Sequence, residues 1–162
     1  MKKMLRFVYI LIVVMLTAYI SSMFTHEGTS TWYQTLKKPA IVPPDVVFSI
    51  VWSIIYVLMI LSVFMIFNKI SAEKLNLAND LFLAQCFLQI LWCLSFFSLG
   101  YLGFAMAIIV LLVVTVGKMA HFYYQIHKIS AFLLLPYLGW LIFAGAINGI
   151  YVWEYGMNIS TK

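Results

Sequence analysis

The chain has 162 residues, of which 65% are hydrophobic and only 9% are charged, and its mean hydropathy is +1.03. This composition excludes an ordinary soluble domain. The formal net charge of +5 is not gathered into a basic patch beside a reading helix, which argues against nucleic-acid binding. We therefore predict an all-α integral membrane protein.

Four windows carry no Asp, Glu, Lys or Arg, namely 8–24, 46–67, 81–117 and 129–153. A membrane span needs about 20 apolar residues, and the window 81–117 would form a single helix of about 55 Å. This window must turn, and "SLGYLG" is its glycine-rich stretch. We predict one five-helix domain over residues 1–162, with helices at about 6–24, 46–67, 80–98, 102–122 and 130–153 and a loop at 25–45.

The first helix begins like a signal peptide, with "MKKMLRF" before apolar residues. Its apolar run, Phe7 to Phe24, is longer than a signal peptide requires and no Ala-x-Ala site ends it, so we predict a retained span. Seven basic residues fall on the side of the amino terminus and three, Lys37, Lys38 and Lys162, on the other. The positive-inside rule then predicts a cytoplasmic amino terminus, with the first loop and the carboxyl terminus outside.

The sequence lacks the residue patterns that several kinds of chemistry require. Ion-coupled transporters and pumps place ionisable residues inside the bilayer, and the charge-free windows that form the interior of the predicted spans hold no Asp, Glu, Lys or Arg. Three histidines, His26, His121 and His127, lie at predicted membrane edges, and their spacing matches no metal-binding motif. His121 or His127 could ligate a haem iron. The simpler interpretation is that they are solvated histidines at the membrane interface. There is no nucleophile elbow, phosphate-binding glycine loop or carboxylate pair. We expect no metal and no required cofactor.

Two cysteines, Cys86 and Cys93, share a face of the third helix. They lie about 10 Å apart along its axis, which is too far for a disulfide within one chain. We expect both to be small buried core residues.

Aromatic and amide residues recur at helical spacing on three helices. These stripes are Phe48, Trp52, Tyr56 and Met59; Gln85, Gln89, Trp92 and Phe96; and Trp140, Ala144, Ile147 and Tyr151, with Asn148 beside them. Polar side chains are costly in lipid unless they have partners. The stripes indicate either helix packing through interhelical hydrogen bonds or the wall of a shared ligand pocket.

Three stretches of the chain carry a resemblance that covers nearly its whole length. "WYQTLKKPAIVPPDVVFSIVW" (32–52), "QCFLQILWCLSFF" on helix three and "LPYLGWLIFAGAIN" on helix five resemble the TspO/translocator protein family, also known as tryptophan-rich sensory proteins or peripheral-type benzodiazepine receptors. The resemblance implies a five-helix bundle, commonly a homodimer, with a pocket beneath the first loop that binds porphyrins and related hydrophobic ligands.

The resemblance also implies the site residues. The lid would comprise Trp32, Tyr33, Leu36, Lys38, Pro39, Pro43 and Pro44. The pocket would be lined by Phe48, Ser49, Val51, Trp52 and Tyr56 on helix two, by Gln85, Gln89, Trp92, Phe96 and Phe97 on helix three, by Phe104 on helix four, and by Trp140, Phe143, Ala144, Ile147 and Asn148 on helix five.

The sequence departs from the family pattern at a few positions. Ile41 and Phe104 stand where tryptophan is usual, and Gln89 stands where asparagine is usual. Glu154 lies in the region where a cholesterol-recognition motif would need a basic residue, so the motif is absent and cholesterol binding is not expected.

The prolines of the first loop have a physical consequence. Pro39, Pro43 and Pro44 lock φ and bias the preceding residues toward extended backbone, and a stiff lid loses less entropy when it encloses a ligand. Lys37 and Lys38 either bind the propionates of a tetrapyrrole or extend to the membrane interface.

We expect a roofed apolar cavity, deep enough for a planar pigment. The chain would then be a membrane receptor or binding protein for porphyrins and other flat hydrophobic ligands, in sensing, sequestration or transport under stress. An alternative is an enzyme that promotes light- and oxygen-dependent breakdown of bound protoporphyrin, with Trp52 and Trp140 as the reacting residues. A third is a purely structural membrane subunit.

The Gly145–Gly149 spacing permits close helix approach, which we predict to serve packing inside the monomer and not a dimer.

Overall fold

The computed structural model describes residues 1–158, a range that excludes Lys162. Its helices are α1 (Lys2–Thr29), α2 (Asp45–Lys69), α3 (Ala72–Cys93), α4 (Leu102–Tyr124), α5 (Lys128–Phe132) and α6 (Leu135–Tyr155). A π-helical turn, Leu94–Ser98, continues α3, and a 3₁₀ turn, Trp32–Thr35, lies between α1 and α2. No strand occurs within 1–158.

Five helical segments are long and apolar enough to cross a membrane, which confirms the predicted all-α bundle of five spans. They are Lys2–Thr29, Asp45–Lys69, Ala72–Ser98, Leu102–Tyr124 and Lys128–Tyr155. We call the end of the bundle where α1 ends and α2 begins the lid end.

The first helix extends five residues beyond the predicted boundary at residue 24. The hydroxyls of Thr25 and Thr29 each donate to the carbonyl four residues earlier, at 2.8 Å, so both polar side chains are satisfied inside the helix. Gly28 is buried against the backbone of Phe97, and a Cβ at this position would overlap with the Phe97 carbonyl. Contact with α3 therefore stabilises the last turn of α1 and shortens the loop to residues 30–44, which we call the lid.

The last span is interrupted, whereas a single helix over 130–153 was predicted. Pro136 occupies the first turn of α6, where its missing N–H is tolerated. Ahead of it, Leu134 N–H donates to the Ala131 carbonyl at 3.0 Å in a tighter turn. The break between α5 and α6 follows from this proline, because proline cannot continue a preceding helix without losing a hydrogen bond.

The helices pack unevenly around the bundle. α3 packs against α1 and α4, α4 packs against α6, and α2 packs mainly against α1, while α2 and α6 make few backbone approaches. None of residues 45–54 of α2 is buried, whereas Ile55, Met59 and Val63 are. The lid-end half of α2 is therefore its loosely packed half.

The G-x-x-x-G pair on α6 is divided between two environments. A Cβ at Gly145 would lie 3.7 Å from Cγ2 of Ile109 on α4, whereas a Cβ at Gly149 would meet nothing within 4 Å among the described residues. Gly145 thus serves close packing with α4 inside the monomer, and Gly149 does not contribute to that contact.

Candidate ligand-binding site

The lid is fastened to α3 by a hydrogen bond. The indole N–H of Trp32 donates to the carbonyl oxygen of Phe97 at 2.7 Å. Phe97 lies in the π-helical turn that ends α3, and carbonyls in the last turn of a helix lack partners within the helix. Trp32 thus satisfies a helix-end acceptor and holds the start of the lid in place.

The lid is also fastened to α6. The Tyr155 hydroxyl accepts from the Lys37 backbone N–H at 3.0 Å and donates to the Lys37 carbonyl at 3.2 Å. One turn earlier, the Tyr151 hydroxyl lies 3.3 Å from that of Tyr33. Two side chains of α6 and one of the lid therefore close this end of the bundle.

Lys38 is already engaged within the lid. Its Nζ lies 3.5 Å from Oδ1 of Asp45 and 5.3 Å from the centroid of the Tyr33 ring. Both charged groups reach solvent, so this ion pair contributes about 1 kcal/mol at most. Burial raises the pKa of Tyr33 above its ordinary value; the bond to Tyr151 lowers this pKa and Asp45 raises it.

Beneath the lid, seven residues form a closed apolar group that we call the lid cluster. Its members are Tyr33, Phe48, Trp92, Phe96, Phe97, Ala144 and Ile147. Trp92 and Phe96 stack with ring centroids 5.5 Å apart, and Phe96 meets Phe97 edge to face at 4.8 Å. Such ring pairs stabilise each other beyond their burial.

The space enclosed by the lid cluster is about 10 Å³. This is room for one water molecule at most, so the expectation of a deep hollow is wrong for this conformation. The rings of the lid cluster fill the volume that the sequence pattern assigned to a ligand.

The floor of the lid cluster is polar. The indole N–H of Trp92 donates to Oδ1 of Asn148 at 3.3 Å, and Nδ2 of Asn148 donates to the Leu102 carbonyl at 2.9 Å. Asn148 is fully buried, so both bonds offset the cost of removing its amide from water. They also fix the orientation of the Trp92 ring.

Farther from the lid lies a second polar group, the amide network, comprising Tyr56, Gln85, Gln89 and Tyr137. Nε2 of Gln89 donates to the Tyr56 hydroxyl at 2.5 Å. The Tyr137 hydroxyl lies 3.0 Å from Oε1 of Gln85 and 3.3 Å from Oε1 of Gln89. The network joins α2, α3 and α6 with its amides satisfied, which is what interhelical packing requires.

Tyr137 was not among the site residues predicted from the sequence, although two glutamines on one buried face indicate that a polar partner lies opposite.

A groove opens between α2 and α6 on the side of the bundle, with a volume of about 380 Å³. We call it the side groove. Its walls are Pro43, Val51, Ile54 and Ile55 on one side and Pro136, Gly139, Trp140 and Phe143 on the other. The four residues Ile54, Ile55, Pro136 and Gly139 were not among the predicted site residues, because their apolar spacing does not distinguish a groove from a lipid-facing surface.

The predicted site residues are thus divided among four places. The lid cluster holds Phe48, Trp92, Phe96, Phe97, Ala144 and Ile147, with Asn148 beneath it. The side groove holds Pro43, Val51, Trp140 and Phe143. The amide network holds Tyr56, Gln85 and Gln89, with Trp52 stacked on Tyr56 at 5.7 Å. The lid carries Trp32, Leu36, Lys38 and Pro39, and Pro44 caps α2.

Two predicted residues lie apart from these groups. Ser49 is exposed, and its hydroxyl bonds to the Asp45 carbonyl of its own helix at 3.4 Å. The side chain of Phe104 is 52% exposed. It lies in the first turn of α4, where Leu102 and Ala105 are the residues buried in the core that surrounds the lid cluster.

The histidines and cysteines occupy ordinary environments. His121 lies 3.1 Å from Gln125 and His127 lies 2.9 Å from the hydroxyl of Ser130. Cys86 and Cys93 are buried free thiols. Within the described part of the chain, no three His, Cys, Asp or Glu side chains are grouped so that they could hold a metal ion.

Five apolar spans and an aromatic cluster under a fastened lid define a multi-pass integral membrane protein. The chain belongs to the TspO/MBR family, whose sequence profile matches residues 9–154.

Relatives of this family are similar to the chain over most of their length. The tryptophan-rich protein TspO of Archaeoglobus fulgidus is 30% identical over 145 residues, which cover 89% of this chain and 93% of that protein. Protein CrtK of Rhodobacter capsulatus is 33% identical over 72% of this chain and 74% of its own. The human translocator protein is 29% identical over 82% of this chain and 80% of its own.

Proposed function

We propose that this protein is a membrane receptor or binding protein for porphyrins and other flat hydrophobic ligands, which it takes up in the lid cluster. The observation that carries the proposal is a group of stacked aromatic rings from the lid, α2 and α3, roofed by a lid that side-chain hydrogen bonds fasten on two sides. Aromatic faces offer a planar pigment a large contact area with little loss of side-chain freedom. A relative from Cereibacter sphaeroides is called a tryptophan-rich sensory protein, and others are called translocator proteins.

Binding must be coupled to opening, because the lid cluster encloses only about 10 Å³. The lid-end half of α2 is the wall that can move, since none of residues 45–54 is buried. Phe48, the α2 member of the cluster, would leave with it. The other walls are held by buried Trp92, Phe96 and Ile147, whose exposure would cost far more.

The mouth of the site suits an anionic edge on the ligand. When α2 moves, Asp45 at its start moves with it, and Lys38 then loses its present partner at 3.5 Å. A ligand carboxylate would restore a charge-assisted contact to the ammonium group. Porphyrin propionates have this chemistry, which is why we place porphyrins ahead of uncharged flat ligands.

Orientation follows from the basic residues. We propose that the amino terminus is cytoplasmic and that the lid faces the opposite side of the membrane, by the positive-inside rule. A homodimer in the membrane is also part of the proposal. Sensing, sequestration and transport of a tetrapyrrole are all compatible with a site that opens within the bilayer.

The test is a titration of the protein in lipid nanodiscs with protoporphyrin IX, followed by tryptophan fluorescence. We expect saturable quenching that weakens in Phe96→Leu, because Phe96 is 2% exposed and lies in the lid cluster. Phe87→Leu is the matched control, since Phe87 lies on the same helix and is 64% exposed. Linear quenching without saturation, or equal loss in both variants, would contradict the proposal and favour a purely structural subunit.

A second candidate is light- and oxygen-dependent breakdown of bound protoporphyrin, and the positions of two tryptophans favour it. Trp52 and Trp140 flank the same seam between α2 and α6, through contacts to Tyr137 and to Phe48 respectively. Illumination of the loaded protein in air, followed by absorption, distinguishes the two functions. A new product that is lost in Trp52→Phe favours the enzyme, and unchanged pigment favours the binding protein.

A further inference from the structure

The side groove lies at a loosely packed seam of the bundle. It separates α2 from α6, which make few backbone approaches, and its α2 wall includes Val51 and Ile54 from the half of the helix that has no buried residue. On the α6 wall, a Cβ at Gly139 would meet nothing within 4 Å among the described residues. The groove is therefore open to the hydrocarbon of the membrane.

The lid, by contrast, is fastened on both of its other sides. Trp32 bonds to Phe97 of α3 at 2.7 Å, and the Tyr155 hydroxyl bonds to the N–H and the carbonyl of Lys37 at 3.0 and 3.2 Å. A ligand that came over the top would have to break these contacts. A ligand that came from the side would meet none of them.

One aromatic pair separates the side groove from the lid cluster. Trp140 lines the groove and Phe48 lines the cluster, and their rings meet edge to face with centroids 5.3 Å apart. The indole nitrogen of Trp140 is buried and has no hydrogen-bond partner among residues 1–158. An N–H without an acceptor at such a depth is costly, so Trp140 has a donor to offer a ligand that passes it.

We infer that the side groove is the route by which a flat hydrophobic ligand passes from the bilayer into the lid cluster, with Phe48 and Trp140 as the gate. This inference rests on the proposed function and adds the direction of uptake. The groove volume of about 380 Å³ falls within the range of small-molecule sites, about 300–1,000 Å³. The ligand first lies in the groove against Trp140, and outward movement of Phe48 with α2 then admits it to the cluster.

The test measures the rates of protoporphyrin IX binding and release in nanodiscs by stopped-flow quenching. Gly139→Phe places a ring in the groove from a position where a Cβ would meet nothing within 4 Å. We expect both rates to fall about fivefold or more, the effect of roughly 1 kcal/mol of crowding at the barrier. The equilibrium dissociation constant should stay the same. Gly117→Phe is the matched control, because Gly117 on α4 also faces open space, and its rates should match the wild type.

Two further variants keep the result decisive. Ile54→Trp fills the opposite wall of the groove from an exposed position and should slow both rates as well, even if Gly139→Phe does not fold. Tyr155→Phe loosens the lid, and under the side route Ile54→Trp should still slow both rates when the two changes are combined.

The outcomes separate the route from the function. Saturable binding with unchanged rates in Gly139→Phe and Ile54→Trp overturns the side route and leaves lipid chains as the only occupants of the groove. Faster uptake in Tyr155→Phe, with no effect of the groove variants, indicates passage over the lid and also overturns it. Absence of saturable binding by the wild type overturns the proposed function itself, and the route with it.

Discussion

The indole of Trp32 and the carbonyl of Phe97 are joined across 65 positions of sequence by a hydrogen bond of 2.7 Å. The bond connects the lid to the π-helical turn of α3, and Gly28 of α1 packs against the same backbone. One packed unit is therefore formed by the last turn of α1, the start of the lid and the end of α3. Changes in this unit should affect both the stability of the fold and the binding of a ligand.

Removal of the Trp32 donor should loosen the lid. Trp32→Phe keeps an aromatic ring and leaves the Phe97 carbonyl without its partner, at a cost of about 1 kcal/mol. We expect faster amide hydrogen exchange over residues 30–44 with unchanged exchange in α4. Trp153→Phe is the control, because Trp153 is 90% exposed. Equal lid exchange in both variants would show that this bond does not hold the lid.

Addition of a methyl group at Gly28 should separate α1 from α3. In Gly28→Ala the new Cβ overlaps with the Phe97 carbonyl, and displacement of a packed backbone costs about 1–3 kcal/mol. The control, Gly117→Ala, places a methyl in open space within a helix and should stabilise by up to about 1 kcal/mol. Thermal unfolding in the same lipid should move in opposite directions for the two variants; a shift in the same direction contradicts the close approach.

Loss of the Tyr137 hydroxyl should destabilise the bundle. It removes the donor to the side-chain oxygens of Gln85 and Gln89, and a buried acceptor left without a partner costs about 1–3 kcal/mol. Unfolding of Tyr137→Phe, compared with the exposed control Tyr19→Phe, measures this cost. If Tyr137→Phe is as stable as the control, the amide network does not hold α6 to α3.

The lid should open at alkaline pH. Burial raises the pKa of Tyr33 above its ordinary value of 10.0, so the closed lid favours the neutral phenol. The contribution of Tyr33 is then fully present below about pH 10 and is lost as the pH rises through the raised pKa. The phenolate absorbance of the wild type minus that of Tyr33→Phe should titrate with a midpoint above 10. A midpoint at or below the ordinary value would mean that Tyr33 is not buried in solution.

The five spans could be predicted because charge-free windows and turn glycines are local signals. The end of α1 and the break before α6 were harder to predict. Gly28 lies within α1 because it packs against Phe97, a contact distant in sequence. The apolar pattern continues through Pro136, so the break at this proline was not predicted. Within the site, periodicity placed Phe48, Trp92, Phe96 and Ile147 on facing sides of their helices, and the lid cluster unites them. Periodicity could not show that these rings fill the space between the helices and leave no cavity, since packing density depends on all the neighbours at once.

Two residues assigned by the resemblance alone lie in different surroundings. Phe97 lies in the lid cluster, whereas Phe104 is exposed. The side groove was missed because Gly139 and Ile54 carry no polar group that would single them out. Its existence depends on the distance between two helices, which no local pattern encodes.

The most direct test uses a variant in which Trp92 is the only tryptophan, with phenylalanine at the other four positions. Trp92 is buried in the lid cluster, so quenching of its fluorescence at saturation reports a pigment bound in or next to the cluster. Titration with protoporphyrin IX in nanodiscs should quench this emission saturably and to near completion. Emission that stays constant, or that falls only in proportion to the pigment dissolved in the bilayer, would mean that these rings are helix packing and that no pigment displaces them.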